Sequence, residues 1–306
     1  MSKKFDFAVG GQALIEGVMM RSKNYVAMSC RDKKGEIKTK SFFFNTITQK
    51  YKFLNIFILR GFLNMIQMIS LGSKALNYSI DIAFEEEGQV EESGTVLKTM
   101  VSIFNIIFSL GFALFLFKFL PLYFTGFIEQ HFVSVKESYL LFNAVDAGFK
   151  ILMFLIYLGF ISLMPDIKRL FMYHGAEHMA VFNYESNEAL SVKNTMKQPR
   201  LHPRCGTSFV LFVFVASIFV YMFIPKNPDF LHNFLQRIVL LPIIAGLSFE
   251  ILKMAGKYSE NPIVKLLSMP GMALQLITTS HPTDDMAEVA IVALNKTLEL
   301  ENNHQE

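Results

Sequence analysis

Residues 144–165 read AVDAGFKILMFLIYLGFISLMP, and this stretch decides the class of protein. Beyond Lys150 it carries no charge as far as Pro165. Its length meets the roughly 20 residues needed to cross about 30 Å of hydrocarbon. Asp146 and Lys150 stand one helical turn apart, so they can pair or reach toward the boundary. Gly159 and Pro165 fit within and at the end of a membrane helix. Three further stretches qualify. The first, 98–122, holds one charge after Met100, Lys118; the second, 207–225, holds none. The third, 234–255, starts near Arg237 and contains Glu250, an acid that an apolar helix holds only with a partner. The expected fold is a mainly α membrane protein with about four transmembrane helices and a small N-terminal cytoplasmic part containing a β-hairpin.

Composition agrees. Of 306 residues, 52% are hydrophobic and 18% charged, against about 25% charged in an ordinary soluble domain. Disorder, a collagen-like repeat and a disulfide scaffold are excluded, and a net charge of +3 gives no reason to expect nucleic acid. Lys3 and Lys4 open the chain, but Phe5-Asp6-Phe7 and Gly10-Gly11 interrupt any apolar run of a secretory signal. Basic residues set the orientation. Segment 166–206 holds Lys168, Arg169, Lys193, Lys197, Arg200 and Arg204, whereas loops 126–143 and 226–233 hold only Lys136 and Lys226. Both termini and the 166–206 loop are therefore expected in the cytoplasm of a multi-pass inner-membrane protein, with Cys30 and Cys205 reduced.

Three regions follow. Residues 1–97 form a cytoplasmic or interfacial region, 98–256 the spans with the 166–206 loop between them, and 257–306 an interfacial segment with a terminal amphipathic helix. In the first region, Val26–Cys30 and Ile37–Phe44 flank the turn Asp32-Lys33-Lys34-Gly35, a hairpin signal. Residues 13–20 read as one more strand, with Glu16 and Arg21 as a structural pair around it. Residues 51–76 are apolar at helical spacing and read as a helix on the membrane surface, followed by an acidic connector at Glu85–Glu87 and Glu91–Glu92. Pro262 and Pro270-Gly271 are expected to break 260–279, and Asp284–Leu300 has an amphipathic helical pattern.

The chemistry concentrates at Tyr173-His174-Gly175-Ala176-Glu177-His178. Histidines at i and i+4 share one helix face and can hold one metal ion, and Glu177 in the H-x-x-E-H order can serve as a general base. Glu185 recurs on that face. Two such histidines cannot approach a haem from opposite faces. A second set, His202-Pro203-Arg204-Cys205-Gly206, places a His and a Cys three residues apart, as in a zinc knuckle, with Gly206 read as room for the backbone. Two ligand pairs within 32 residues point to one metal site, with zinc favoured by a His/Cys set and other divalent ions allowed. If His174, His178, His202 and Cys205 all bind, the site is closed and structural. If three bind, the fourth place is open and Glu177 can act, and Glu250 is a further candidate acid.

These stretches together resemble the YqhQ-type family of bacterial membrane proteins, a domain of unknown function labelled a predicted metal-dependent enzyme. The resemblance rests on Gly10-Gly11-Gln12-Ala13 through Ile15–Arg21, on Tyr173–His178, on His202–Phe209, and on Thr278-Thr279 with Pro282–Asp285. It implies a multi-spanning protein with a cytoplasmic His/Cys-rich site and supplies no reaction. Two functions are expected from the residues: a membrane-embedded zinc-dependent hydrolase with Glu177 as base, or a non-enzymatic platform with a closed zinc site. The bilayer is the expected partner, with a protein partner at the cytoplasmic face and oligomerisation compatible with either. A transporter is disfavoured because the spans carry few paired charges.

Overall fold

The computed structural model describes residues 9–84, 95–203, 205–225, 227, 229–258 and 261–305; the acidic connector at 85–92 lies outside them. The chain divides into two units, one comprising residues 1–85, 160–212 and 246–306, the other 86–159 and 213–245.

The first unit is built on a four-stranded antiparallel sheet in sequential order: β1 Gly10–Leu14, β2 Gly17–Arg21, β3 Tyr25–Arg31 and β4 Ile37–Phe43. The hairpin forms where its turn residues require it. Gly35, at φ +86°, donates its N–H to the Asp32 carbonyl. The stretch read as one strand over 13–20 is two, because Glu16 takes φ +49° and turns the chain back so that Ala13 pairs with Val18. Gly17 allows this: a Cβ there would lie 2.4 Å from Cys30 Sγ and from the Ser29 carbonyl.

Strand β2 is buried on both faces, and its period of two sorts its side chains into separate cores. Val18 and Met20 pack with Tyr173, Ala176 and Ala180 of the Pro165–Glu185 helix and with Val289, Ala290 and Ala293 of the Asp284–Gln305 helix. Met19 joins Leu14, Val26 and Met28 against Leu71 and Ala75 of the Leu59–Phe84 helix. That helix starts later than the apolar pattern suggested. Ile66, Ile69 and Ile80 stand on its exposed surface.

The expected Glu16–Arg21 pair does not form. Glu16 instead takes the guanidinium of Arg169 and the hydroxyl of Tyr173 (3.1 Å), while Arg21 lies over the Phe44 ring, 4.9 Å from its centroid. Glu250 has the partner its setting demanded: Arg60 donates Nε and Nη2 to its two oxygens at 2.5 and 2.6 Å. The Pro262–Thr278 helix runs through Pro270, which sits on the exposed face where one missing ladder bond is tolerated.

In the second unit, the Thr95–Leu114 helix passes through a π-helical turn, Phe115–Phe119, into Leu120–His131. The Tyr139–Ser162 helix follows. Among the described residues, Ile107–His131 and Tyr139–Ser162 are long and apolar enough to cross a membrane, and Phe230–Val239 with Leu241–Gly256 adds a third if that pair, bent by 45°, is one span. The expectation of four spans is thus reduced to two or three. The 207–225 stretch yields a helix of 16 residues, Thr207–Met222, short of a full crossing. The 234–255 stretch breaks because Pro242 has no N–H to continue the ladder and crowds the carbonyl four residues before it.

Candidate metal centre

Helical spacing sets the first two ligands. His174 and His178 lie on the Pro165–Glu185 helix, which begins with Pro165 in its first turn, and their rings are 4.4 Å apart between centroids. Cys205 comes to them from the loop that follows, where its N–H bonds the His202 carbonyl at 3.2 Å. One ligand atom from each of His174, His178 and Cys205 lies within 4.8 Å of the other two, and His178 and Cys205 are buried.

Main-chain carbonyls orient both rings. His174 Nδ1 lies 2.8 Å from the Thr278 carbonyl, and His178 Nδ1 lies 2.5 Å from the Arg200 carbonyl. A carbonyl only accepts, so each Nδ1 carries the proton and each Nε2 offers a lone pair. His174 Nε2 is 3.1 Å from Cys205 Sγ. His178 Nε2 is buried with no hydrogen-bond partner. Burial lowers the His178 pKa below the usual imidazole value, with Cys205 and the Arg200 carbonyl acting against it. Such outer hydrogen bonds typify metal-ligating histidines. Two aimed imidazole lone pairs and a thiol within one coordination sphere can hold a divalent metal ion, and the orphaned Nε2 fits that use.

Gly175, between the two histidines, makes the arrangement possible. A Cβ there would sit 2.0 Å from the Ser280 carbonyl, so only glycine lets residues 278–280 lie across the helix. That segment is fastened by the Ser280 N–H on the Phe171 carbonyl (2.9 Å) and by Arg200 Nη1 on the Thr279 carbonyl. Gln275 clamps the other side, accepting from His202 N and donating to His202 O, both at 2.8 Å.

The remaining predicted residues sit around this group. Glu177 is buried, its Oε2 3.5 Å from His178 Nε2, and the Gly11 amide donates to it. Burial raises its pKa, while His174, His202 and that amide act to lower it. His202 is buried against Phe182, ring centroids 4.4 Å apart, and its Nε2 lies 3.5 Å from a Glu185 oxygen. Burial lowers the His202 pKa, opposed by Glu177. His202, Glu177 and Glu185 are thus neighbours of the three-donor group rather than members of it. Glu250 is held by Arg60. Gly206 has no atom within 4 Å of a Cβ built on it, so the room expected from that glycine is not used by a neighbour.

Sequence reasoning passed over three contributors. Gly11 lets Glu177 approach, since a Cβ there would be 2.9 Å from Glu177 Cγ. The Thr278 carbonyl left no trace in side-chain chemistry. Gln275 did leave one, as a lone amide in the apolar run Ala273-Leu274-Gln275-Leu276.

Comparison with known proteins now bears on this geometry. Residues 56–300 match the family described as a protein of unknown function, DUF1385. The "Uncharacterized protein YqhQ" of Bacillus subtilis (strain 168) is 36% identical over 314 residues, covering 98% of this chain and 96% of the relative. The chain belongs to this family. Its match spans both histidines, Cys205, Thr278 and the Asp284–Gln305 helix up to residue 300. No solved structure matches.

Proposed function

We propose that this chain is a membrane-anchored platform whose closed, structural zinc site ties the segment around residues 166–206 to the chain near Thr278. The observation that carries this is the fixing of both imidazoles by main-chain carbonyls from two separate segments, with their Nε2 atoms turned toward the Cys205 thiol. Zinc suits a His/Cys donor set, and a bound ion would cross-link the Pro165–Glu185 helix to the Cys205 loop. Glu177 and His202 are the two groups near enough to complete a fourth position by side-chain adjustment. With two crossings, the lysine and arginine distribution would set this site and both termini on the cytoplasmic side of the inner membrane, where a protein partner would meet it. On this reading, 1–97 and 257–306 flank the membrane region 98–256.

A second reading, a hydrolase, is favoured by one observation: Glu177 lies 3.5 Å from His178 Nε2 and is buried beside the donor set. With the metal supplying Lewis acidity, Glu177 would accept a proton from water as the water oxygen adds to a substrate carbonyl, and would return it to the departing group.

Zinc-edge X-ray absorption on the purified full-length protein separates the two. The platform reading expects one sulfur and three nitrogen or oxygen donors, all lost or altered by protein substitutions alone, with Glu177→Gln or His202→Ala changing the shell. A shell with an exchangeable solvent oxygen, unchanged in both variants, would favour the hydrolase.

A further inference from the structure

The second unit buries a set of charges that the metal centre does not use. Lys118, Asp146, Lys150 and Arg237 are each less than a tenth exposed. Asp146 receives Lys150 from its own helix and Arg237 from the Phe230–Val239 helix, both on Oδ2. Its Oδ1 is buried and has no hydrogen-bond partner. Among the described residues no second carboxylate pairs with any of the three cations. Lys118 Nζ reaches the Tyr221 hydroxyl at 3.4 Å. All three cationic heads gather round that ring: Lys118 Nζ, Lys150 Nζ and Arg237 Cζ lie 5.7, 4.9 and 4.6 Å from its centroid. A ring face attracts cations but cancels no charge. With both lysines protonated, the apolar interior therefore holds three positive charges against one negative, a costly surplus.

Two features accompany this cluster. Lys118 lies within the π-helical turn Phe115–Phe119, an irregularity that recurs at functional sites, and it is the buried residue of that turn. On the Arg237 side of the cluster lies a recess lined by Asn143, Tyr221, Asn233, Gln236 and Arg237 together with apolar neighbours, with room for roughly one water-sized particle. Asn143 and Asn233 each spend an amide N–H on a main-chain carbonyl and Arg237 donates to Asp146 and Asn143, and each of these nitrogens carries a second N–H.

We infer that the Lys118–Lys150–Arg237 cluster is a binding site for one small monatomic anion no larger than chloride, with Asp146 holding two of the cations in place. A monovalent anion halves the surplus, and the Tyr221 ring faces the remainder. The recess is too small for a phosphodiester with its chains.

Full-length protein in nanodiscs of neutral phosphatidylcholine tests this at constant ionic strength, with chloride exchanged stepwise for gluconate. Chloride is expected to raise the thermal midpoint saturably by several degrees and to broaden the chloride NMR line. Lys118→Met is expected to lose both responses while unfolding no lower than chloride-free wild type, because it deletes a surplus cation. Lys150→Met gives an independent check. Absence of both chloride responses in wild type overturns the inference. So does a response that both variants retain, which places the anion elsewhere. Stabilisation by anionic lipid but not by chloride also overturns it, and assigns the cations to a headgroup phosphate.

Discussion

The two units each bury a polar cluster, and they differ in what is left over once internal partners are counted. Around His174 and His178 the main chain takes both Nδ1 protons, His174 Nε2 meets the Cys205 thiol, and what is left over is the buried lone pair of His178 Nε2. Around Tyr221 the residue is positive charge, with one carboxylate serving Lys150 and Arg237 and leaving Lys118 to a hydroxyl. A remainder of lone pairs calls for a cation, and a remainder of ammonium groups calls for an anion. What a buried cluster fails to pair internally thus identifies the kind of partner it takes.

The sharpest way to break this comparison is to remove the acid from the second cluster. Asp146→Asn is expected to destabilise the protein by about 3–5 kcal/mol, since it strands buried cations, whereas Lys118→Met should cost under about 1 kcal/mol. Equal losses in denaturation of the two variants would show that the cluster is balanced after all. Next comes the support of the metal centre. Gly175→Ala drives a Cβ into the Ser280 carbonyl and should cost about 3 kcal/mol and release metal, while Gly206→Ala, with open space around it, should do neither. Metal content and thermal unfolding check both.

The smallest effect concerns Glu301, whose carboxylate anchors the terminal helix to the turn between β2 and β3. It accepts from Ser22 Oγ at 2.6 Å, Asn24 N at 2.9 Å and Asn24 Nδ2 at 2.7 Å. Burial acts to raise its pKa, but these donors outweigh it and hold the carboxyl below the ordinary glutamate value. Its contribution is therefore complete above roughly pH 4.3 and lost as pH falls through the lower folded value. Glu301→Gln should cost about 1–2 kcal/mol at pH 7 and less in acid, as measured by denaturation across pH. A loss independent of pH would assign Glu301 a packing role only.

Local chemistry was legible in the sequence, and long-range geometry was not. The hairpin, the terminal helix and the facing histidines follow from turn residues and from periodicities of two and 3.6 residues, all readable within a dozen positions. The split at Glu16 escaped because a glutamate at φ +49° carries no turn signature in sequence, and its carboxylate finds Arg169 and Tyr173 only in the folded chain. The spans were overcounted because apolarity measures transfer into lipid and ignores both the end of the Thr207–Met222 helix after 16 residues and the break that Pro242 forces. Cys205 was found by spacing, but the choice among Glu177, His202 and Glu185 as its neighbours depends on ångström-scale placement that no spacing rule carries. The charge cluster is the clearest case. Asp146 and Lys150 were visible as a pair, while Arg237 joins the same oxygen from 91 residues away and Lys118 comes in on a π-helical turn.

The central claim is that the aimed imidazoles and the thiol bind metal, and elemental analysis of detergent-purified protein tests it most directly. Wild type should carry close to one zinc per chain, and the double variant His174→Ala with His178→Ala should carry almost none. Metal far below one per chain in wild type after purification with zinc present, or an equal amount in the double variant, would contradict it.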